Sequence, residues 1–242
     1  MTALSSDEAI CRRIDRLDWT HVASQLDERG HAITSALLSR RECRQLIALY
    51  VNEARFRSRV VMQHHAFGRG EYRYFGYPLP AAVASLRTHL YARLAPIAKR
   101  WAECLGASQH YPQRLSAFLR ACHGHGQTKP TPLLLHYEQD DYNCLHQDLY
   151  GEIAFPLQVT IALSCPREDF TGGEFLLTEQ RPRVQSRGEA VVLSQGEAVI
   201  FPNHVRPAIG RRGFYRVNVR HGVSRVRSGR RYALGIIFHD AA

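Results

Sequence analysis

Phe214-Tyr215-Arg216-Val217-Asn218-Val219-Arg220-His221-Gly222-Val223 is the stretch that decides the fold. Side chains of an extended strand alternate between its two faces. His221 therefore shares a face with Tyr215, Val217 and Val219, near the strand's end. Working outward, similar short apolar or alternating runs lie at Leu133–Tyr137, Leu157–Leu163, Gly173–Leu177, Val191–Leu193, Ala198–Phe201 and Tyr232–Phe238. Gly, Pro, Asp or Ser separates most of them, as turns require. About seven strands in about 110 residues predict a jelly roll or sandwich.

Upstream of Thr131 the pattern is mainly helical. Ser5 and Ser6 precede Asp7-Glu8, and Trp19 to Arg29 stops at Gly30. Ser39-Arg40-Arg41-Glu42 has capping-box spacing before a helix expected over Cys43 to Phe56. Val60-Val61-Met62 suggests a strand. Val83, Leu86, Leu90, Leu94, Ile97, Trp101 and Leu105 recur at helical steps, with Pro96 an expected kink. Helices first and strands later predict an α+β fold, with N-terminal helices packed on one side of a barrel-like β core. The chain reads as one domain over 1–242: a mainly helical part, 1–130, and a strand-rich core, 131–242.

The 242 residues are 45% apolar and 22% charged, which fits a globular chain with a full core. No run is long and apolar enough for a membrane helix. Met1 to Arg13 has no apolar core segment of a signal peptide, so a cytoplasmic location is expected. The six cysteines form no C-x-x-C pair and are expected as reduced thiols. The net charge is +10, and only Lys99 and Lys129 are lysines. No Asp or Glu occurs from Ala198 through His239, where Arg206, Arg211, Arg212, Arg216, Arg220, Arg225, Arg227, Arg230 and Arg231 fall. Such a field attracts polyanions or anionic substrates without identifying them.

Leu145-His146-Gln147-Asp148 supplies the candidate chemistry. His146 and Asp148 stand two apart, hence on one strand face. With His221 they make two imidazoles and one carboxylate, a facial set that leaves metal positions open. Arg231, ten residues beyond His221, can grip a carboxylate in a bidentate fork. His204 is the rival second histidine, and Cys144 a rival ligand that would favour zinc.

These motifs resemble those of the Fe(II)/2-oxoglutarate dioxygenase superfamily. His146-Gln147-Asp148, His221-Gly222-Val223 and Arg231-Tyr232-Ala233-Leu234 are similar to AlkB-type nucleic-acid demethylases, and the chain resembles a bacterial family of predicted nucleic-acid oxygenases. The resemblance implies a double-stranded β-helix (jelly-roll) core. It implies Fe(II) on His146, Asp148 and His221, O2 as co-reactant, and 2-oxoglutarate held by Arg231 and Tyr137. The implied reaction is oxidative demethylation of alkylated bases, with single-stranded or damaged nucleic acid as partner. Three positions depart from the AlkB pattern: Ile237 replaces a second arginine, Leu135 an asparagine and Tyr150 an acid. Gly172-Gly173-Glu174 looks like a turn of the prolyl-hydroxylase branch, so hydroxylation of a protein side chain or small molecule is the alternative. A metal-free, cupin-like binding module is a third reading, against which the intact triad and Arg231 argue.

Residues 62–78 form the candidate substrate lid. Tyr72, Tyr74, Phe75 or Tyr77 would stack on a base and Arg69 or Arg73 touch phosphate, or the aromatics simply cover the barrel. Glu152 would bind a substrate's polar edge or pair with an arginine.

Overall fold

The computed structural model describes residues 5–148 and 151–242. The N-terminal part holds α1 (Ser6–Asp15), α2 (Trp19–Arg29), β1 (Ala32–Thr34), α3 (Arg40–Ala48), β2 (Phe56–Val61), β3 (Gly68–Arg69), β4 (Glu71–Phe75), α4 (Ala81–Cys104) and α5 (Leu115–Gly124). The strand-rich part holds β5 (Leu133–Tyr137), β6 (Tyr142–His146), β7 (Leu157–Ala162), β8 (Phe170–Gly172), β9 (Phe175–Gln180), β10 (Arg187–Val191) and β11 (Ala198–Pro202). It continues through β12 (Val205–Gly210), β13 (Gly213–Val223), β14 (Val226–Gly229) and β15 (Arg231–Ile236).

The caps follow from sequence. Ser5 and Ser39 each close a reciprocal capping box, with Glu8 and Glu42 as partners. Gly30 ends α2 at φ 78°, a left-handed turn that a side chain would resist. α4 runs through Pro96, which lies on its solvent side.

The helix expected to reach Phe56 ends at Ala48. Tertiary contacts override propensity there. Tyr50 is drawn into the core, its ring 5.5 Å from Tyr232 and its hydroxyl donating to Glu71 at 2.6 Å. The chain then turns through two short 3-10 segments into β2.

One sheet has the order β1-β11-β7-β15-β5-β4-β2, the other β10-β9-β13-β6-β3 with β12 on β13. Neighbours are antiparallel throughout both. From β5 onward the chain crosses between the sheets: β5, β7, β11 and β15 lie in the first, β6, β9, β10 and β13 in the second. This alternation is the double-stranded β-helix, and the fold is α+β.

Helices cover one face of the larger sheet. Ile10, Ile14, Leu26, Leu90, Leu94 and Trp101 form one buried cluster with Leu134, Ile161, Ile200, Leu234 and Ile236. Burying these side chains stabilises the layer by roughly 1.5–3 kcal/mol each. Strand alternation sends Arg231, Ala233 and Gly235 to the opposite face, where the site lies.

The basic stretch after Ala198 is not one surface. Arg206 is buried and bonded to Glu179, with Nη2 3.0 Å from the carboxylate, and Arg231 is also buried. Arg211 and Arg212 sit between β12 and β13, whereas Arg225, Arg227 and Arg230 lie around β14 at the far end of β13. Ten strand steps, roughly 33 Å, separate the two groups. Among the described residues no helix is long and apolar enough to cross a membrane.

Candidate metal and cosubstrate site

The pairing of β6 with β13 sets His146 directly opposite His221. Their rings lie 4.2 Å apart between centroids. Asp148 follows the end of β6 rather than lying within it, and keeps the same side. Its Oδ1 is 3.6 Å from His146 Nε2 and its Oδ2 is 3.2 Å from His221 Nε2. All three donor atoms fall within 4.8 Å of one another. Donors about 2.1 Å from a shared ion and at right angles would be about 3.0 Å apart, so the set is close to a coordinating arrangement.

The surroundings fix each imidazole. The Cys144 carbonyl lies 2.8 Å from His146 Nδ1. A carbonyl only accepts, so the proton sits on Nδ1 and Nε2 is free for a ligand bond. Burial, reinforced by the neighbouring His221, pushes the His146 pKa down and favours the neutral, ligating form. Phe201 and Phe175 pack on His221 at 4.8 and 6.0 Å. Gln147, between the two ligands, turns the other way. Its amide donates to the Val219 carbonyl at 2.9 Å and the His204 carbonyl at 3.2 Å, clamping the end of β6 to β13 and to the residue that precedes β12. The rivals separate: among the described residues neither His204 nor the Cys144 thiol joins the triad.

Arg231 opens β15 and pairs in register with Tyr137 of β5. It is only 5% exposed, yet its Nη1 has no hydrogen-bond partner. The Tyr137 hydroxyl is buried as well, with no hydrogen bond of ordinary geometry and the Asn143 side chain as its polar neighbour. The guanidinium carbon lies 5.4 Å from the Tyr137 ring and 6.0 Å from Phe170. Burial lowers the arginine's pKa and pushes the phenol up to about 12. Glu174 accepts from the Ser224 hydroxyl and acts on the cation through its charge, but among the described residues it makes no ion pair with it. Gly173 makes room for the arginine: at φ 65°, a β-carbon there would stand 2.9 Å from Arg231 Cδ. A buried cation and hydroxyl without acceptors need an anion with several acceptor atoms. A dicarboxylate fits that requirement.

The triad, Tyr137 and Arg231 line one cavity of about 350 Å³. Leu133, Leu135, Gly235 and Ile237 form an apolar wall, so two of the three positions that depart from the AlkB pattern, Leu135 and Ile237, lie inside the cavity. Gln158, on the same wall, is 5% exposed, and its Nε2 also lacks a partner. Sequence reasoning missed this residue, although a lone amide in Leu157-Gln158-Val159 was its signal.

The 62–78 segment is only partly a lid. Ala66 and Phe67 line the mouth, and the Phe67 carbonyl accepts from Cys144 N at 2.8 Å. Residues 71–75 are instead strand β4 of the larger sheet, with Tyr72 and Tyr74 facing the cavity. Phe75 is core, stacked 4.9 Å from Phe56. Arg73 is buried over the Tyr50 ring at 4.5 Å and donates to the Tyr50 carbonyl, so it cannot reach phosphate. Tyr77 donates to Asp240 at 2.9 Å. Arg69 remains exposed. Glu152 is exposed, outside the cavity lining and without an ion pair among the described residues. Tyr150 lies outside the described residues.

Residues 70–241 match the family model described as "Oxygenase, catalysing oxidative methylation of damaged DNA". The chain belongs to this family. It is an oxygenase, and its His146, Asp148 and His221 could hold a metal ion. An uncharacterized protein of Mycobacterium tuberculosis is 52% identical over 168 residues, covering 69% of this chain and 72% of that protein. Two solved structures share the fold. A Pseudomonas putida prolyl-4-hydroxylase has a TM-score of 0.53 at 13% identity, covering 93% of this chain and 99% of that one. A 2OG-Fe(II) oxygenase family oxidoreductase from Burkholderia pseudomallei has a TM-score of 0.54 at 18% identity, with 94% of each chain covered.

Proposed function

We propose that this site removes methyl groups oxidatively from alkylated bases in nucleic acid, with DNA the substrate that the family description favours. His146, Asp148 and His221 hold Fe(II), and Arg231 with Tyr137 holds the distal carboxylate of 2-oxoglutarate. The observation that carries the site assignment is the buried Arg231 guanidinium, its Nη1 without a hydrogen-bond partner, in the same cavity as the triad.

When bound, the iron and 2-oxoglutarate use O2 to hydroxylate a substrate C–H bond, releasing succinate and CO2. The chain's residues place and shield that chemistry. The triad would supply three ligands to the ion, two imidazoles and one carboxylate, fewer than its full set. Arg231 and Tyr137 fix the cosubstrate at its far end, and the apolar wall excludes water. Tyr72 and Tyr74 present ring surface to a base taken out of its stack. Hydroxylation of an N-methyl group gives a hemiaminal, which loses formaldehyde and leaves the unmodified base.

The second reading is hydroxylation of a protein side chain or small molecule. The apolar Ile237 at a position that is arginine in AlkB-type proteins favours it. Succinate and formaldehyde measured with and without methylated single-stranded DNA, in the wild type and in His146→Ala, separate the two. Stimulation by the methylated strand with formaldehyde release, both lost in the variant, supports demethylation. Turnover indifferent to nucleic acid favours the second reading.

A further inference from the structure

Outside the catalytic cavity, a second concavity of about 390 Å³ lies on the outer face of the smaller sheet. Thr178, Gln180, Asn218 and Arg220 line it, and it shares Leu145 and Gln147 with the catalytic cavity. The two hollows therefore meet at the residues flanking His146. The strand that points His221 inward points Arg216, Asn218 and Arg220 outward. Register sets Arg220 beside Thr178 and Asn218 beside Gln180.

The chemistry of this groove is one-sided. Its lining offers amides, hydroxyls and one guanidinium, and no carboxylate among the described residues. Arg216 and Arg220 are exposed and, among the described residues, have no acidic partner. Arg206, by contrast, is buried against Glu179 and serves the fold. An uncommitted Arg220 beside neutral amide and hydroxyl groups forms the contact set that positions a sugar-phosphate backbone without reading its sequence, and Arg216, further along the same strand face, lies beyond the groove beside His204. Lacking partners, they keep their charge available to phosphate.

We propose that this groove binds the sugar-phosphate backbone of the single nucleic-acid strand whose target base enters the catalytic cavity. Arg220 contacts phosphate within the groove, Arg216 contacts the phosphate of the strand where it leaves the groove along β13, and Asn218, Thr178 and Gln180 contact sugar and phosphate oxygens. The inference rests on the nucleic-acid reading above and adds where the strand runs.

The test is binding of a fluorescent single-stranded 15-mer, as DNA and as RNA, by anisotropy. The full chain is used, loaded with Fe(II) and 2-oxoglutarate without oxygen, across a salt series. R216Q/R220Q is compared with R41Q/R44Q, which removes the same charge from exposed positions on α3. The groove variant is expected to lose roughly tenfold in affinity at low salt. Its slope of log affinity against log salt should fall by about 1.4, at about 0.7 per lost phosphate contact. R41Q/R44Q should stay near wild type, and both variants should keep the wild-type thermal midpoint. Equal losses in both variants, or none in R216Q/R220Q, overturn the groove while leaving the demethylase reading standing. Polyglutamate bound as tightly as the 15-mer through the same arginines also overturns it, because the groove would then be a general anion patch. A wild type that binds neither DNA nor RNA removes the nucleic-acid reading, and the groove with it.

Discussion

Replacing Arg231 with leucine should move stability and cosubstrate affinity in opposite directions. In the cosubstrate-free fold the guanidinium is 5% exposed, has an unpartnered Nη1 and pairs with no carboxylate among the described residues. Its desolvation cost is offset only in part, by the Tyr137 and Phe170 rings and the charge of Glu174. An apolar side chain at this position should stabilise the cosubstrate-free protein by about 1–4 kcal/mol. For a chain of this length that raises the thermal midpoint by roughly 2–4 °C per kcal/mol. With 2-oxoglutarate the sign reverses. Stranding a buried carboxylate without its cation costs about 3–5 kcal/mol, which is about two to three and a half orders of magnitude in affinity. Scanning calorimetry at several 2-oxoglutarate concentrations measures both effects, because a ligand at about a hundred times its Kd adds about 2.7 kcal/mol. Wild type should gain stability with cosubstrate, and Arg231→Leu should start higher and stay flat. A variant that is less stable without cosubstrate and still responds to it would refute the reasoning.

Tyr137→Phe should leave the fold intact, since the hydroxyl makes no hydrogen bond of ordinary geometry within the protein, and raise KM for 2-oxoglutarate by about 10–100-fold with kcat little changed. Gly173→Ala places a β-carbon against Arg231 Cδ and Val226 Cγ2 at positive φ, so urea titration should show a loss of about 1 kcal/mol or more, with weaker cosubstrate binding. His239 gives a pH prediction. Burial, then the charge of Arg87, push its pKa down to about 4, while its Nδ1 accepts from Phe155 N at 3.2 Å. Below the ordinary value of about 6.5 the unfolded chain takes a proton that the folded chain refuses, so stability falls as pH drops from 6.5 toward 4. The loss between pH 7 and 5 should be about 2 kcal/mol by urea unfolding, and His239→Gln should flatten it; an unchanged pH slope in that variant would count against this account.

The central strands were legible because their alternation has one reading. In Phe214–Val223 the inward positions carry Val217, Val219 and His221, and the structure places them inward. His146, Asp148 and Arg231 were legible for the same reason, each standing at or just beyond the end of such a strand. β12 was hidden because Pro207 and a glycine end interrupt its pattern. β8 and β14 are only three and four residues long, and their pairing is set by the turn through Gly172 and Gly173. The 71–75 segment misled for a physical reason. Arg73 and Glu71 look solvent-facing in sequence, but Tyr50, brought over from the end of α3, covers them with a ring and a hydroxyl. The Gln147 clamp depends on which strands become neighbours, and spacing along one strand does not contain that.

Anaerobic titration of Fe(II) into the wild type and into His146→Ala, Asp148→Ala and His221→Ala, with and without 2-oxoglutarate, tests the central claim most directly. The account predicts one equivalent of tightly bound iron in the wild type, tightened by 2-oxoglutarate and lost in each variant. It also predicts that Arg231→Leu still binds iron but no longer responds to 2-oxoglutarate. Iron bound equally well by the three triad variants would contradict it.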